Sequence, residues 1–223
     1  MNWKKTINFD VFPKNIREKL TNYQLISCGY HNCSFLGFFK NHKVQIRIAI
    51  NNFVNWKNEE NFIRNNPNFF FYTKGNFIKK WIEGEILSPK NLETNLQKLF
   101  FAVLEFHMQK NEKIAKFDWN VSEIIDKKYI KLVQKYQFNQ LVISHNDLQF
   151  KNIITSDKHV FLLDFEWVRL NNPYFDYVCL YINLGISPEK IIEFFNLETE
   201  KFNDFVYLVN VFTNFWNKKF YNK

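Results

Sequence analysis

The stretch "SHNDLQFKNII", Ser144 to Ile154, sets His145, Asn146, Asp147, Gln149, Lys151 and Asn152 between apolar runs, and Asp164 lies at the end of another apolar run. Two short strands joined by a hairpin would bring Asn152 and Asp164 side by side. Two oxygen donors there suit Mg2+, a hard cation that takes one or two protein ligands and completes its shell with water and phosphate oxygens. Asp147, at the other end of the loop, would face a substrate hydroxyl and accept its proton. A carboxylate that orients a hydroxyl, together with a metal that neutralises phosphate oxygens, is the equipment of phosphoryl transfer. Taken one at a time, each Asn or Asp reads more simply as a turn residue. Only the set carries chemistry.

The elements that must hold this loop are readable from apolar periodicity. Residues 22–50 predict three strands, "YQLIS", "SFLGFF" and "KVQIRIAI". The third alternates Val44, Ile46, Ile48 and Ile50 with Gln45, Arg47 and Ala49, the period of a strand. Residues 55–65 predict a short helix that ends before Pro67, and "NFFFYT" and "NFIKKWI" predict two more strands turning at Gly75. Ser88-Pro89 predicts a helix start, with Leu92, Leu96, Leu99, Phe100, Val103, Leu104 and His107 at helical spacing behind it. A second helix is expected over 121–138. The runs "QLVIS" and "VFLLDF" flank the polar loop as strands, and 174–221 is expected to be mostly helical. The change of character at "IEGEI", 82–86, divides the chain into an N-terminal part, 1–82, and a C-terminal part, 83–223.

Composition narrows the class. A chain of 223 residues, 46% of them hydrophobic, can bury a core in each of two small lobes. A net charge of +8 with 19% aromatic residues raises nucleic-acid binding. The lysines, however, are scattered in doublets and no run of five like charges occurs, so a nucleic-acid partner is not expected. No apolar run approaches the roughly 18 residues of a membrane span, so no membrane insertion is expected. Cys28, Cys33 and Cys179 make no disulfide framework. With no signal peptide legible in the first residues, the expected compartment is the cytoplasm. "CGYHNC" offers Cys28, His31 and Cys33 as zinc ligands, but a zinc site needs a fourth ligand and usually a second pair, and none stands at a suitable distance.

The segment "SHNDLQFKNII…VFLLDFEWVRLNNPYFDYVCLYI" resembles the choline/ethanolamine kinases and the aminoglycoside phosphotransferase superfamily, and its H-N-D-L-Q and D-F-E-W motifs are most similar to small bacterial choline kinases. The resemblance is close over about 40 residues of motif and looser, in the right order, elsewhere. It implies an α+β, two-lobed protein-kinase-like fold, with an antiparallel sheet and one helix in the first lobe and a mainly helical second lobe. It implies ATP and Mg2+ as cofactors, Asp147 as catalytic base, Asn152 and Asp164 as metal ligands, and His145 as the catalytic-loop residue that props the others. Asp176, in "PYFDY", matches a structural aspartate of these kinases, and His107 a packing histidine.

In the first lobe, such kinases hold the nucleotide phosphates with a basic residue on the third strand, here Arg47, paired with an acid on the next helix. Glu59 and Glu60 both qualify, and Glu60 is preferred. Gly29 and Asn32 fall in the loop that would cover the phosphates, although it has a single glycine. Trp81 and Ile82 fall at the hinge that meets adenine. The expected acceptor is a small choline-like alcohol, with ethanolamine, thiamine or an aminoglycoside as alternatives, and a catalytically inactive binding protein as the non-enzyme alternative. A quaternary ammonium is recognised by aromatic faces with a carboxylate nearby. Trp167, Trp216 and Glu166 are the candidates.

Overall fold

Alternation of apolar and polar residues, not local propensity alone, builds the first sheet. The computed structural model describes residues 7–51 and 55–220. The chain folds as two compact units, Met1–Glu83 and Gly84–Lys223. In the first, five antiparallel strands stand in the order β1-β2-β3-β5-β4: β1 (Leu20–Cys28), β2 (Asn32–Phe39), β3 (His42–Ala49), β4 (Phe69–Thr73) and β5 (Asn76–Lys80). Register places Ile46 opposite both Phe35 and Ile78. Val44, Ile46 and Ile48 are thereby buried with Cys33, Phe35, Phe39 and Ile78 on one face of the sheet. Phe12, which follows a 3-10 turn (Phe9–Val11) and precedes the short helix α1 (Lys14–Arg17), belongs to the same cluster. The opposite side chains of β3, Gln45 and Arg47, are left for polar work. Helix α2 (Trp56–Ile63) precedes β4, and Gly75, at φ +82, makes the β4–β5 turn that an L side chain resists.

One expectation is corrected here. The β1–β2 register sets Cys28 opposite Cys33, and the two thiols are joined in a disulfide across the hairpin. Only Cys179 is free, and it is buried. The cysteine argument for a reducing compartment therefore lapses. Among the described residues no helix is long and apolar enough to cross a membrane.

The second unit holds β6 (Glu85–Ile86), α3 (Leu92–His107), α4 (Lys127–Tyr136), β7 (Val142–Ser144), β8 (Ile153–Thr155), β9 (Val160–Leu162), β10 (Arg169–Asn171), α5 (Tyr174–Leu184), α6 (Pro188–Phe195) and α7 (Thr199–Phe220). Leu99, Phe100 and Val103 of α3, Tyr129 and Val133 of α4, Val178 and Leu180 of α5, and Phe202 and Phe205 of α7 share its core. Gly84 enters this unit at φ +151, and a Cβ there would stand 2.4 Å from the Thr155 carbonyl oxygen. Only glycine permits the approach.

Two boundaries differ from expectation. Helix α3 begins at Leu92, not at Ser88-Pro89, because Asn91 Oδ1 accepts from both the Ser88 amide (2.8 Å) and hydroxyl (3.1 Å) and turns the chain first. Helix α4 covers only the second half of 121–138, since Asp126 caps it by accepting from the Tyr129 amide at 2.8 Å. The runs flanking the polar loop are not partners. Strand β7 pairs with β10, and β9 pairs with β8, in separate small sheets.

Candidate active site

The loop after β7 is held from below by one carboxylate. Asp176, on the first turn of α5 and fully buried, accepts from the His145 amide through Oδ2 and the Asn146 amide through Oδ1, both at 2.8 Å. Its Oδ2 also lies 2.8 Å from His107 Nε2 at the end of α3. His107, read from sequence as packing, is therefore part of the anchor. His145 is completely buried between the rings of Phe106 and Phe165. Its Nε2 donates to the Leu163 carbonyl at 2.8 Å, and its Nδ1 lies 3.3 Å from the Asp147 amide, which donates to it. It props the loop, and its ring nitrogens are both used in doing so.

Asp147 and Asn152 are joined directly. Asn152 Nδ2 donates to the Asp147 carbonyl and to Asp147 Oδ2, each at 2.9 Å, and Gln149 Nε2 donates to Asp147 Oδ1 at 2.7 Å. The β8–β9 hairpin does what the spacing predicted. Ile153 faces Leu162, and the Leu163 amide donates to the Asn152 carbonyl at 2.8 Å, so Asp164 follows immediately beside Asn152. Asp164 sits at φ 64, ψ 77, a left-handed conformation that a non-glycine residue holds only where its surroundings impose it. Burial pushes the Asp147 carboxyl above the ordinary carboxylate range; the charge of Asp164 adds to this, while His145, Gln149 and Lys151 oppose it.

This donor set fits a hard divalent cation. With its amide nitrogen spent on Asp147, Asn152 has an Oδ1 that receives no hydrogen bond from the described residues. The donors are all oxygen, as Mg2+ prefers. Among the described residues no cluster of three His, Cys, Asp or Glu gathers for a metal, so the amide oxygen is an essential member of any site here.

Asn146, at φ 61, was not expected to matter beyond a turn. Its Nδ2 donates to the carbonyls of Ser144 and Trp167 (both 2.9 Å), and its Oδ1 accepts from Asn171 Nδ2 at 2.8 Å. Asn171 in turn accepts from Trp119 Nε1 at 2.9 Å. The polar loop after β7 is thus tied to the turn that carries Trp167. The indoles of Trp167 and Trp216 meet edge-to-face with centroids 6.4 Å apart, so the two candidate cage residues, far apart in sequence, are neighbours. Glu166, the candidate anion, is buried at 5% exposure in the 3-10 turn Phe165–Trp167.

In the N-terminal unit, Arg47 pairs with Glu59, not with the expected Glu60. Glu59 is one turn before the buried Ile63, so the apolar anchor of α2 turns it inward, while Glu60 is half-exposed and 3.8 Å from Arg64. That i,i+4 relation to Ile63 was the sequence signal that could have decided. Arg47 is 3% exposed, donates from Nε to the Gly75 carbonyl at 3.0 Å, and stacks on Phe77. Tyr72 completes the cluster, donating to Glu59 Oε2 at 3.1 Å, and burial raises its hydroxyl pKa. In the β1–β2 turn, the Gly29 amide donates to the Asn32 carbonyl at 2.8 Å, and a Cβ at Gly29 would meet only that oxygen, at 3.8 Å. His31 Nδ1 lies 3.3 Å from Asn51 Oδ1, and both neighbouring thiols are in the disulfide. The Trp81 amide donates to the Lys43 carbonyl at 3.0 Å, and Trp81 and Ile82 are half-buried at the end of the unit.

The fold is matched in solved structures. A choline kinase from Streptococcus pneumoniae superposes with a TM-score of 0.68 over 89% of this chain and 85% of that one, at 14% identity. An ethanolamine kinase of Plasmodium vivax superposes with a TM-score of 0.62 over 91% and 75%, at 17% identity. An ADP-bound aminoglycoside phosphotransferase superposes with a TM-score of 0.58 over 91% and 86%, at 15% identity. The fold is therefore similar to that of these kinases and phosphotransferases: an antiparallel five-stranded sheet followed by a helical C-terminal region. Among sequences, an uncharacterized protein of Metamycoplasma hominis is 39% identical over 206 residues, and one of Mycoplasma pneumoniae is 31% identical over 179. The chain covers 41% and 63% of those two relatives, and 91% and 70% of its own length is matched. No known family profile matches the chain.

Proposed function

We propose that this chain transfers the γ-phosphoryl group of ATP to the hydroxyl of a small-molecule alcohol, with choline the favoured acceptor. The observation that carries this reading is the joining of Asp147 to Asn152, with Asp164 next to both, on a loop fastened by Asp176. Asp147 orients the acceptor hydroxyl and takes its proton, and its raised pKa makes it a better base than an ordinary aspartate. Asn152 and Asp164 would hold Mg2+, which when bound neutralises charge on the phosphate oxygens. His145 and Asp176 keep the loop in place, so that positioning and electrostatics supply most of the acceleration. Arg47, with Glu59, is the cation that the N-terminal unit offers to the nucleotide. The division of labour follows the units Met1–Glu83 for nucleotide and Gly84–Lys223 for catalysis and acceptor.

Choline is favoured over the other alcohols by the Trp167–Trp216 pair, whose ring faces suit a quaternary ammonium. The deciding experiment follows ADP release with Mg2+ and ATP against choline, ethanolamine, thiamine and aminoglycosides. Turnover of choline is expected, lost to a few per cent or less in Asp147→Ala and Asp164→Ala. Trp216→Ala should raise the choline KM far more than the ATP KM. ATP turnover with no acceptor in the panel would instead favour a different alcohol, and absence of ATP binding would favour a non-catalytic binding protein.

A further inference from the structure

The C-terminal unit has a cavity of about 470 Å3 that none of Asp147, Asn152 or Asp164 lines. That volume lies in the range of small-molecule sites. Its lining includes the rings of Tyr174, Tyr177 and Phe195 together with Gln140, Glu198 and Lys201, and Val142 of β7. Tyr177 and Phe195 are stacked at 4.2 Å and 27°, and Tyr174 lies 5.9 Å from Tyr177 at 65°, so the aromatic surface is continuous.

Lys201 is the unusual member. It is 8% exposed, and an ammonium carries three donors. One reaches Gln140 Oε1 at 2.8 Å, and the charge lies over the Tyr174 ring at 4.5 Å. Among the described residues it makes no ion pair, and Glu198 at the same cavity is exposed. Burial lowers its pKa, and the charge of Glu198, which lines the same cavity, acts in the opposite direction. The Tyr177 hydroxyl makes no hydrogen bond to the described residues either, whereas the Tyr174 hydroxyl accepts from the Glu198 amide at 3.1 Å. The cavity therefore combines flat apolar walls with an ammonium and a phenol whose donors are not used up.

We infer that this cavity is a binding site for a small planar organic anion, an aromatic carboxylate, separate from the phosphoryl-transfer residues. The ring system would lie against Tyr174, Tyr177 and Phe195, and the carboxylate would take the spare donors of Lys201 and Tyr177. Val142 leads along β7 to Ser144 and His145, and Tyr177 is next in sequence to Asp176. The inference does not depend on which acceptor is phosphorylated.

The test uses the full chain and calorimetric titration with 2-naphthoate, with 2-naphthylmethylammonium as a probe of the same body and opposite charge. Saturable one-to-one binding of naphthoate is expected, with a Kd of about 1 mM or tighter. Lys201→Met, which keeps the apolar stem, should weaken it at least tenfold, and Tyr177→Phe several-fold. The cationic probe should not saturate, and ATP with Mg2+ should not displace naphthoate. No saturation by naphthoate, equal binding of the cation, unchanged binding in both variants, or displacement by the nucleotide would each overturn the inference. If Lys201→Met fails to fold, Tyr177→Phe and the charge-reversed probe still decide.

Discussion

Asp147 is where chemistry and stability oppose one another. Its carboxyl is desolvated, next to Asp164, and titrates above the ordinary aspartate range. A group whose folded pKa is raised contributes stability below its unfolded pKa, about 3.9 for aspartate, and that contribution is lost as pH rises through the folded value. Asp147→Asn, which stays neutral, should therefore melt higher than the parent near pH 7, with the advantage vanishing toward about pH 3, as paired melting curves across that range would show. The same shift should place the acid limb of kcat/KM above the pH at which a free aspartate titrates. A limb at the free value, with no stabilisation in the Asn variant, would remove the desolvated base from the account. At this scale the spacing made legible that a hairpin sets Asp164 beside Asn152, while the roles of Asp147, Asn152 and Asp164 are proposed from the resemblance. Glu60 was preferred over Glu59 because either of two adjacent glutamates satisfies a type-and-spacing rule. Only the phase of α2, fixed by Ile63, separates them.

Elements are positioned here by a few backbone contacts, and these carry their own test. Gly84 passes against β8, so Gly84→Ala must displace Thr155 or abandon φ +151. At Gly185, the αL residue that ends α5, nothing lies within 4 Å of an added Cβ. Gly185→Ala should cost about 1 kcal/mol, from backbone preference alone, and Gly84→Ala distinctly more, as denaturant midpoints would show. Equal losses would mean that the β6–β8 approach is loose. The regular elements were legible: β3 follows from period two, the other four strands of the first sheet from apolar runs bounded by turns, and the helical run of α3 from period 3.6. What escaped was side-chain capping and pairing choice. Ser88-Pro89 has the composition of a helix start, but Asn91 captures Ser88 first, and three-residue strands such as β7 and β10 carry too little pattern to announce their partners.

Across the molecule, apolar burial is partitioned. The cluster of Phe12, Phe35, Val44, Ile46, Ile48 and Ile78 lies wholly in the N-terminal unit, and the larger cluster wholly in the C-terminal one. Ile46→Ala, a cavity-forming change costing about 2–5 kcal/mol, should therefore speed amide exchange throughout β1–β5 while α3, α5 and α7 keep their protection. Uniform acceleration would show that the two units open as one. In the sequence the junction was expected at "IEGEI" from a switch from strand to helical periodicity, and the resemblance supplied the fold that the switch implies. The covalent tie between β1 and β2 was not legible, because a five-residue separation that spans a turn reads equally well as loop, metal ligand or cross-strand pair.

That tie leaves the chain with a single thiol, Cys179, sunk among the core side chains of α5, where burial raises its pKa well above the ordinary thiol value. Alkylation without reductant is then a stopwatch for the opening of the C-terminal core. The native protein resists the reagent, every labelled molecule records one excursion to an open state, and a mass increment of one adduct reports it without any engineered probe.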